Sequence, residues 1–378
     1  MSEMTAELRY GFGKNWAEFV SKNFNEEVLN QSQTHLADFL RVDTLRGKLF
    51  LDIGCGSGLH SLAAYRLGAE RIISFDYDRD SVATTERLRR YAGDPAHWTV
   101  MHGSVLDRKF MEGLEKADIV YSWGVLHHTG DMWNAVRNAA IPMKADGIFF
   151  IALYASEAYV DPPPEYWLKI KRLYNQHGLI GRRLMEWWYV WKFHFVPTWR
   201  SGGNPLHAIW STHHRGMKFW TDVRDWLGGY PMEFAGMAET RDFCKQELGL
   251  DLINLGTGEA NTEFLFCHLG KNQQWTAIEA QRAQRPLARP FSKIDGFSFA
   301  AYEPSLRDSA DGNDAPRRSR VMVYEDGRPL GLNHSLHDHI AKYGSGRFSH
   351  WGDNIYFSTP DNSDPNTNSR TYTYCVSF

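Results

Sequence analysis

Short apolar runs alternate with amphipathic stretches through the first two-thirds of the chain. KLFLDI (48–53), RIISFD (71–76), HWTVMHG (97–103), ADIVYSW (117–123) and GIFFIALY (147–154) read as strands. Between them HSLAAYRLG, SVATTERLRRYA, FMEGLEK and MWNAVRNAAIPM repeat apolar residues at helical spacing. Strands separated by helices predict βαβ units and a parallel sheet covered on both faces. DLINLG and TEFLFCHL, turning at GTGEAN between Leu252 and Leu269, predict a closing antiparallel hairpin. The expected fold class is therefore α/β, a doubly wound and mostly parallel sheet.

The periodicity changes on either side of that pattern. Residues 1–46 read as a helical leader, with AEFVSKNF and THLADFLRV carrying apolar residues on one face. After Tyr154, DPPPEYW (161–167) breaks the chain and opens a helical, aromatic and basic insertion over about 156–235. The expected organisation is a core domain over 47–270 interrupted by that insertion, a helix and linker over 271–292, and a small β-rich unit over 293–378. SRVMVYEDGRPL, GRFSHWGDNIYFSTP and RTYTYCVSF alternate as strands there, split by Asp-Gly, Gly-Asp-Asn and Asp-Pro-Asn turns.

Charge and cysteine content narrow the function classes. The chain has 378 residues, with 42 Lys and Arg against 45 Asp and Glu, which argues against a protein held on nucleic acid by bulk electrostatics. GIFFIALYA (147–155), the longest strongly apolar run, is half of what a membrane span requires. The first residues carry no basic and apolar signal-peptide regions, and Cys55, Cys244, Cys267 and Cys375 are scattered, so a reduced, cytoplasmic chain is expected.

The candidate chemistry begins at LDIGCGSGLHSLAAYRLGAERIISFDYD (51–78). A strand ending in Asp52 is followed by Gly54, Gly56 and Gly58, so a ligand can approach naked backbone at the start of a helix. The dinucleotide fingerprint G-x-G-x-x-G needs a third glycine where this chain has Leu59. The observed D-x-G-x-G-x-G spacing favours S-adenosylmethionine over NAD. Asp76, at the carboxyl end of the second strand, is placed to accept ribose hydroxyls.

These residues resemble the class I S-adenosylmethionine-dependent methyltransferases, in a bacterial branch related to the polyprenyl-benzoquinol methylases. The matching stretches are FGKNW (12–16), residues 47–69, SFDYDRDSV (74–82), GSVLD (103–107), YSWGVLHHTGDMWNA (121–135) and RGMKFWTDVRDWLGGYP (215–231), so the resemblance covers roughly residues 10–270. It implies that Gly54, Gly56 and Gly58 lie against the cofactor, that Asp52 orients its amino group and that Asp76 binds its ribose. It further implies Tyr77 beside the adenine, Ser104 and the Val105 amide at the adenine edge, and Trp123 lining the methyl-donor pocket. Many relatives carry Asp where this chain has Ser104. Asn15 and Trp16 are implied contacts from a leader folding over the pocket.

Methyl transfer from a sulfonium is an in-line displacement that depends on alignment in a dry pocket, and a hydroxyl acceptor also needs a base. His127 and His128 follow the fourth strand, at the mouth of an open α/β sheet, and are the candidate bases. His213, His214 and Arg215 form a second cluster, with His214 and Arg215 as acceptor-site candidates; a solvated loop is the bland reading. Residues 169–200 read as a lid, a cap or a dimer contact, and a shallow interfacial helix stays open. His334, His337 and His339 are close in sequence, but their spacing does not place all three on one helix face, so no metal is expected. The aromatic, Asn- and Asp-rich stretch 343–368 suits sugar stacking.

The expected function is an S-adenosylmethionine-dependent methyltransferase, O-methylating a small-molecule, secondary-metabolite or glycan acceptor. Methylation of a polyprenyl-benzoquinol ring comes second. A nicotinamide-dependent oxidoreductase and a non-catalytic nucleoside-binding protein are the competing classes. Peripheral membrane contact and a homodimer are left open as partners.

Overall fold

Seven strands form the central sheet: β1 (Leu49–Ile53), β2 (Arg71–Asp76), β3 (Trp98–His102), β4 (Ala117–Trp123), β5 (Met143–Leu153), β6 (Asp251–Thr257) and β7 (Thr262–Cys267). Their order is β3-β2-β1-β4-β5-β7-β6, in a computed structural model that describes residues 10–200, 202, 204, 219–257, 261–281 and 284–376. β1 to β5 pair in parallel, and β7 enters antiparallel between β5 and β6. The predicted doubly wound sheet with its closing hairpin is present. β5 starts ahead of the predicted run, because Met143 already pairs with Ala117.

Alternation along the strands explains why helices cover both faces. Leu49, Leu51 and Ile53 join one apolar cluster with Met132, Val136 and Cys244, while Phe50 joins another with Leu36, Leu62 and Leu88. Phe149, Ile151 and Leu153 of β5 face the first cluster, and Phe150 and Ala152 the second. The leader contributes helices Gly13–Lys22 and Glu26–Leu40; the second is capped by the Asn25 side chain, which accepts from the Val28 N–H at 2.9 Å.

The insertion leaves the carboxyl end of β5 and returns beside it. Ala235 N–H donates to the Tyr154 carbonyl and Ser156 N–H to the Ala235 carbonyl, so the returning chain extends the sheet edge. Its helices Pro164–Gln176, Leu179–Val190 and Phe219–Gly228 pack on one another through Tyr174, Val190, Val223 and Leu227.

The last part holds two antiparallel sheets. One has the order β13 (Phe348–Trp351), β14 (Asn354–Phe357), β10 (Ser298–Tyr302), β9 (Ser292–Asp295). The other runs β12 (Arg328–Pro329), β11 (Val321–Glu325), β15 (Tyr372–Val376), β8 (Arg285–Pro286). A single apolar cluster including Phe299, Val323, Ile355 and Tyr374 lies between them. The stretch expected as a linker behaves differently from that reading: after helix Gln273–Gln281, Arg285–Pro286 pairs with β15, and Leu287 and Phe291 are buried in this cluster. Its polar, proline-bearing composition hid two apolar anchors. No helix among the described residues is long and apolar enough to cross a membrane.

Candidate active site

The parallel register brings the carboxyl ends of β1, β2, β3 and β4 to one edge of the sheet, and the residues singled out above gather there. Gly54, Gly56 and Gly58 all have positive φ (72°, 53° and 81°). Space is also short: a Cβ on Gly54 would fall 2.5 Å from Val125, and one on Gly58 2.9 Å from Thr85. The Asp76 carboxylate clamps this turn. One oxygen accepts the Gly56 N–H at 3.0 Å and the other the Asp78 N–H at 2.8 Å, so a single side chain ties the loop after β1 to the loop after β2.

Asp52 lies beneath the same turn, buried, and burial pushes its carboxyl up to about 7. A buried chain of donors ends on it. Trp98 Nε1–H donates to Ser74 Oγ at 2.8 Å, the Ser74 and Ser61 hydroxyls are 2.7 Å apart, and Ser61 Oγ donates to Asp52 Oδ2 at 2.5 Å. An indole N–H can only donate, and an ionised carboxylate can only accept. With Asp52 charged, each hydroxyl proton must therefore point toward it. The chain stabilises the anion against a burial penalty that Asp76 increases.

The leader closes over the glycines. Gly13 N–H donates to Asp78 at 2.9 Å, and the Trp16 indole lies 3.1 Å from where a Gly56 Cβ would stand. Beside it, Trp123 Nε1–H donates to Glu263 Oε1 at 2.8 Å, and His35 Nε2 meets the same oxygen at 3.0 Å. The Tyr121 hydroxyl is buried without a hydrogen-bond partner among the described residues; burial pushes its pKa well up, and Glu263 and Asp52 add to the rise. A glycine turn without side chains, two carboxylates and an orphaned hydroxyl near one sheet edge fit a ligand with hydroxyl groups and positive charge.

The loop after β4 carries the two histidines. His127 is buried against Tyr154, ring centroids 4.1 Å apart, and both ring nitrogens lack partners among the described residues. Burial, with His128 and Lys171 adding to it, drives its pKa well below the usual range, so it stays neutral. His128 is half-buried and its Nδ1 lies 2.8 Å from the Pro231 carbonyl. A carbonyl only accepts, so Nδ1 carries the proton and Nε2 is the basic nitrogen. Around them stand Tyr154, Tyr159, Trp226 and Phe234, with Tyr159 stacked on Trp226 at 5.6 Å and 9°.

The remaining sequence candidates are placed as follows. Tyr77 is 52% exposed at the end of β2, with its ring 6.0 Å from that of His102. Ser104 turns its hydroxyl toward the Leu106 N–H at 3.2 Å, and Val105 is buried with its carbonyl accepting from Asn138. Asn15 donates to Tyr10 at 2.8 Å and to Asp225, tying leader to insertion. His213, His214 and Arg215 lie outside the described residues. In the β unit, His334 pairs with Asp311 at 2.7 Å and His337 stacks on Tyr356, and among the described residues no three candidate ligands converge on a metal position. Sequence reasoning missed Glu263, Tyr121, Ser61 and Tyr154.

Residues 51–151 match a family model described as a methyltransferase domain. The ubiquinone biosynthesis O-methyltransferase of Methylobacterium sp. (strain 4-46) is 30% identical over 118 residues, 31% of this chain and 45% of that protein. A tRNA U34 carboxymethyltransferase of Pseudomonas paraeruginosa is 34% identical over 84 residues, 22% of this chain and 25% of that protein. The chain thus spans less than half the length of these curated relatives. Magnesium protoporphyrin IX methyltransferase from Synechocystis PCC 6803 with bound SAM aligns at TM-score 0.41 and 11% identity, covering 70% of this chain and 94% of that one. An O-methyltransferase family protein from Burkholderia thailandensis aligns at TM-score 0.39 and 14% identity, covering 68% and 58%.

Proposed function

We propose, from the premise that residues 51–151 form a class I S-adenosylmethionine-dependent methyltransferase domain, that this chain methylates a hydroxyl on a small-molecule or glycan acceptor. The observation that carries the reading is the Asp76 clamp: one carboxylate joins the glycine turn to the end of β2, where a nucleoside's ribose would be held. S-adenosylmethionine, when bound, supplies an electrophilic methyl group on a sulfonium sulfur. Gly54, Gly56 and Gly58 would offer it backbone without side chains, Asp52 would hold its amino group, Tyr77 would flank the adenine, and Trp16 and Trp123 would shield the pocket from water.

On the acceptor side, His128 removes the hydroxyl proton at Nε2. The Pro231 carbonyl holds the ring in the tautomer that base catalysis needs. His127 packs behind it as a neutral wall. Tyr154, Tyr159, Trp226 and Phe234 orient the acceptor, so its alignment with the methyl group depends on aromatic contact rather than charge. The parallel Tyr159–Trp226 pair also suits a flat quinol ring, the second acceptor class. Leu59 at the third fingerprint position argues against a nicotinamide enzyme. A thermal-shift comparison tests the donor half: S-adenosylhomocysteine raises Tm and NAD leaves it unchanged, whereas the reverse order would sink the proposal. Transfer of a labelled methyl group to the acceptor separates an enzyme from a mere nucleoside binder.

A further inference from the structure

The helix Leu179–Val190 runs on through a π-helical turn, Trp191–Phe195, into Val196–Arg200. Ile180, Leu184, Trp187 and Trp191 recur at i, i+4, i+7 and i+11, which places them in one stripe. They are between 60 and 81% exposed, and Trp199 further along is 68% exposed. The packed side lies about a third of a turn away, with Glu186 and Val190 buried toward helix Phe219–Gly228. A helix facing water carries its polar residues outward, whereas this one turns indoles outward.

Charge identifies the medium that would cover the stripe. From Tyr166 to Arg200 the chain has seven Lys and Arg and one acid, Glu186, although the whole chain is net −3. Glu186 is buried and neutralised: Arg183 meets it at 2.7 Å and Tyr174 donates to it at 2.9 Å. The exposed charges left on the segment, including Arg172, Lys192 and Arg200, are all positive. A two-fold contact with a second copy would set this basic flank against itself.

We propose that this face docks on an anionic lipid bilayer. The helix lies in the plane of the interface, its Ile, Leu and Trp side chains enter the acyl boundary and its basic residues meet the lipid phosphates. This assignment rests on the insertion alone and is read without turnover, so it stands or falls separately from methyl transfer.

The test uses the full chain with vesicles of phosphatidylcholine alone or mixed with phosphatidylglycerol. Co-sedimentation is expected with the mixed vesicles only, weakening as salt is raised. Leu184→Glu combined with Trp191→Glu should lower the partition coefficient by about tenfold or more, since each change puts a charge into the acyl boundary. Because that variant could disturb the insertion, the unaltered chain gives an independent reading. Brominated phosphatidylglycerol should quench part of its tryptophan emission, and Trp187→Phe, Trp191→Phe and Trp199→Phe together should remove that part. A chain that stays in the supernatant with both vesicle types and shows no quenching overturns the proposal. So does a light-scattering mass of a dimer that reverts to a monomer in the Glu variant.

Discussion

Replacing Asp52 with Asn tests the buried polar chain most sharply. Burial pushes the Asp52 carboxyl from its ordinary 3.8 to about 7. Between about pH 4 and pH 7 the folded chain therefore holds a proton that the unfolded chain has lost. Stability falls as pH rises through that window and stays low above it, by roughly 4 kcal/mol in total. Asparagine keeps the shape and accepts the Ser61 proton, but it cannot ionise, and its amide donors have no evident acceptor, costing about 1–3 kcal/mol. The difference in unfolding free energy between Asp52→Asn and wild type should shift toward the variant by roughly 2–3 kcal/mol from pH 5 to pH 8. Other titrating groups cancel in that difference. Urea unfolding followed by tryptophan fluorescence at both pH values measures it. A difference that does not change with pH would refute the claim that Asp52 is a penalised buried charge.

Four further outcomes follow from the same geometry. Ser61→Ala removes the hydroxyl donor to Asp52 and should weaken S-adenosylhomocysteine binding by about tenfold in calorimetry, with Ser61→Thr restoring most of it. His128→Gln should lower kcat by roughly 10²–10⁴-fold and flatten the acidic limb of the pH–rate profile; His127→Gln, at a wall position, should keep that limb. Lys171 is buried and pushed down from 10.5 to about 7, so the folded chain has shed a proton that the unfolded chain still holds. Its contribution to stability rises from about pH 7 to pH 10, and Lys171→Met should abolish the rise in urea midpoints. His35 is raised by its bond to Glu263, so its contribution is full below about pH 6.5 and is lost as pH rises through the folded value. Protection factors in helix Glu26–Leu40, taken relative to the base-catalysed intrinsic exchange at each pH, should be higher at pH 5.5 than at pH 8, and His35→Gln should erase that contrast.

Most of the sheet was legible because its strands are buried on both faces and announce themselves as short apolar runs. The glycine turn and Asp76 were legible for a related reason: a turn crowded by Val125 and Thr85 excludes side chains, and the register of β1 with β2 sets the acid at a fixed distance along the sequence. Glu263 was not, since it reaches Trp123 only because β7 inserts between β5 and β6, a pairing that chain order does not dictate. Ser61, Ser74 and Trp98 read as ordinary helix and strand residues; their donor chain exists only once β1, β2 and β3 are adjacent. The hairpin of β9 and β10 turns at Gly296-Phe297, directly after Asp295, a two-residue loop whose single glycine is a weak signal beside the polar run preceding it. In residues 169–200, composition left cap, lid and interface open; the side each indole faces came only from the packing of Glu186 and Val190.

Titration calorimetry of S-adenosylhomocysteine into the full chain and into Asp76→Ala bears most directly on the donor seat. The account predicts saturable one-to-one heat with the unaltered chain, and affinity lower by at least about a hundredfold in Asp76→Ala, whose ribose anchor and loop clamp are both gone. Equal affinities, or no heat with either protein, would contradict it.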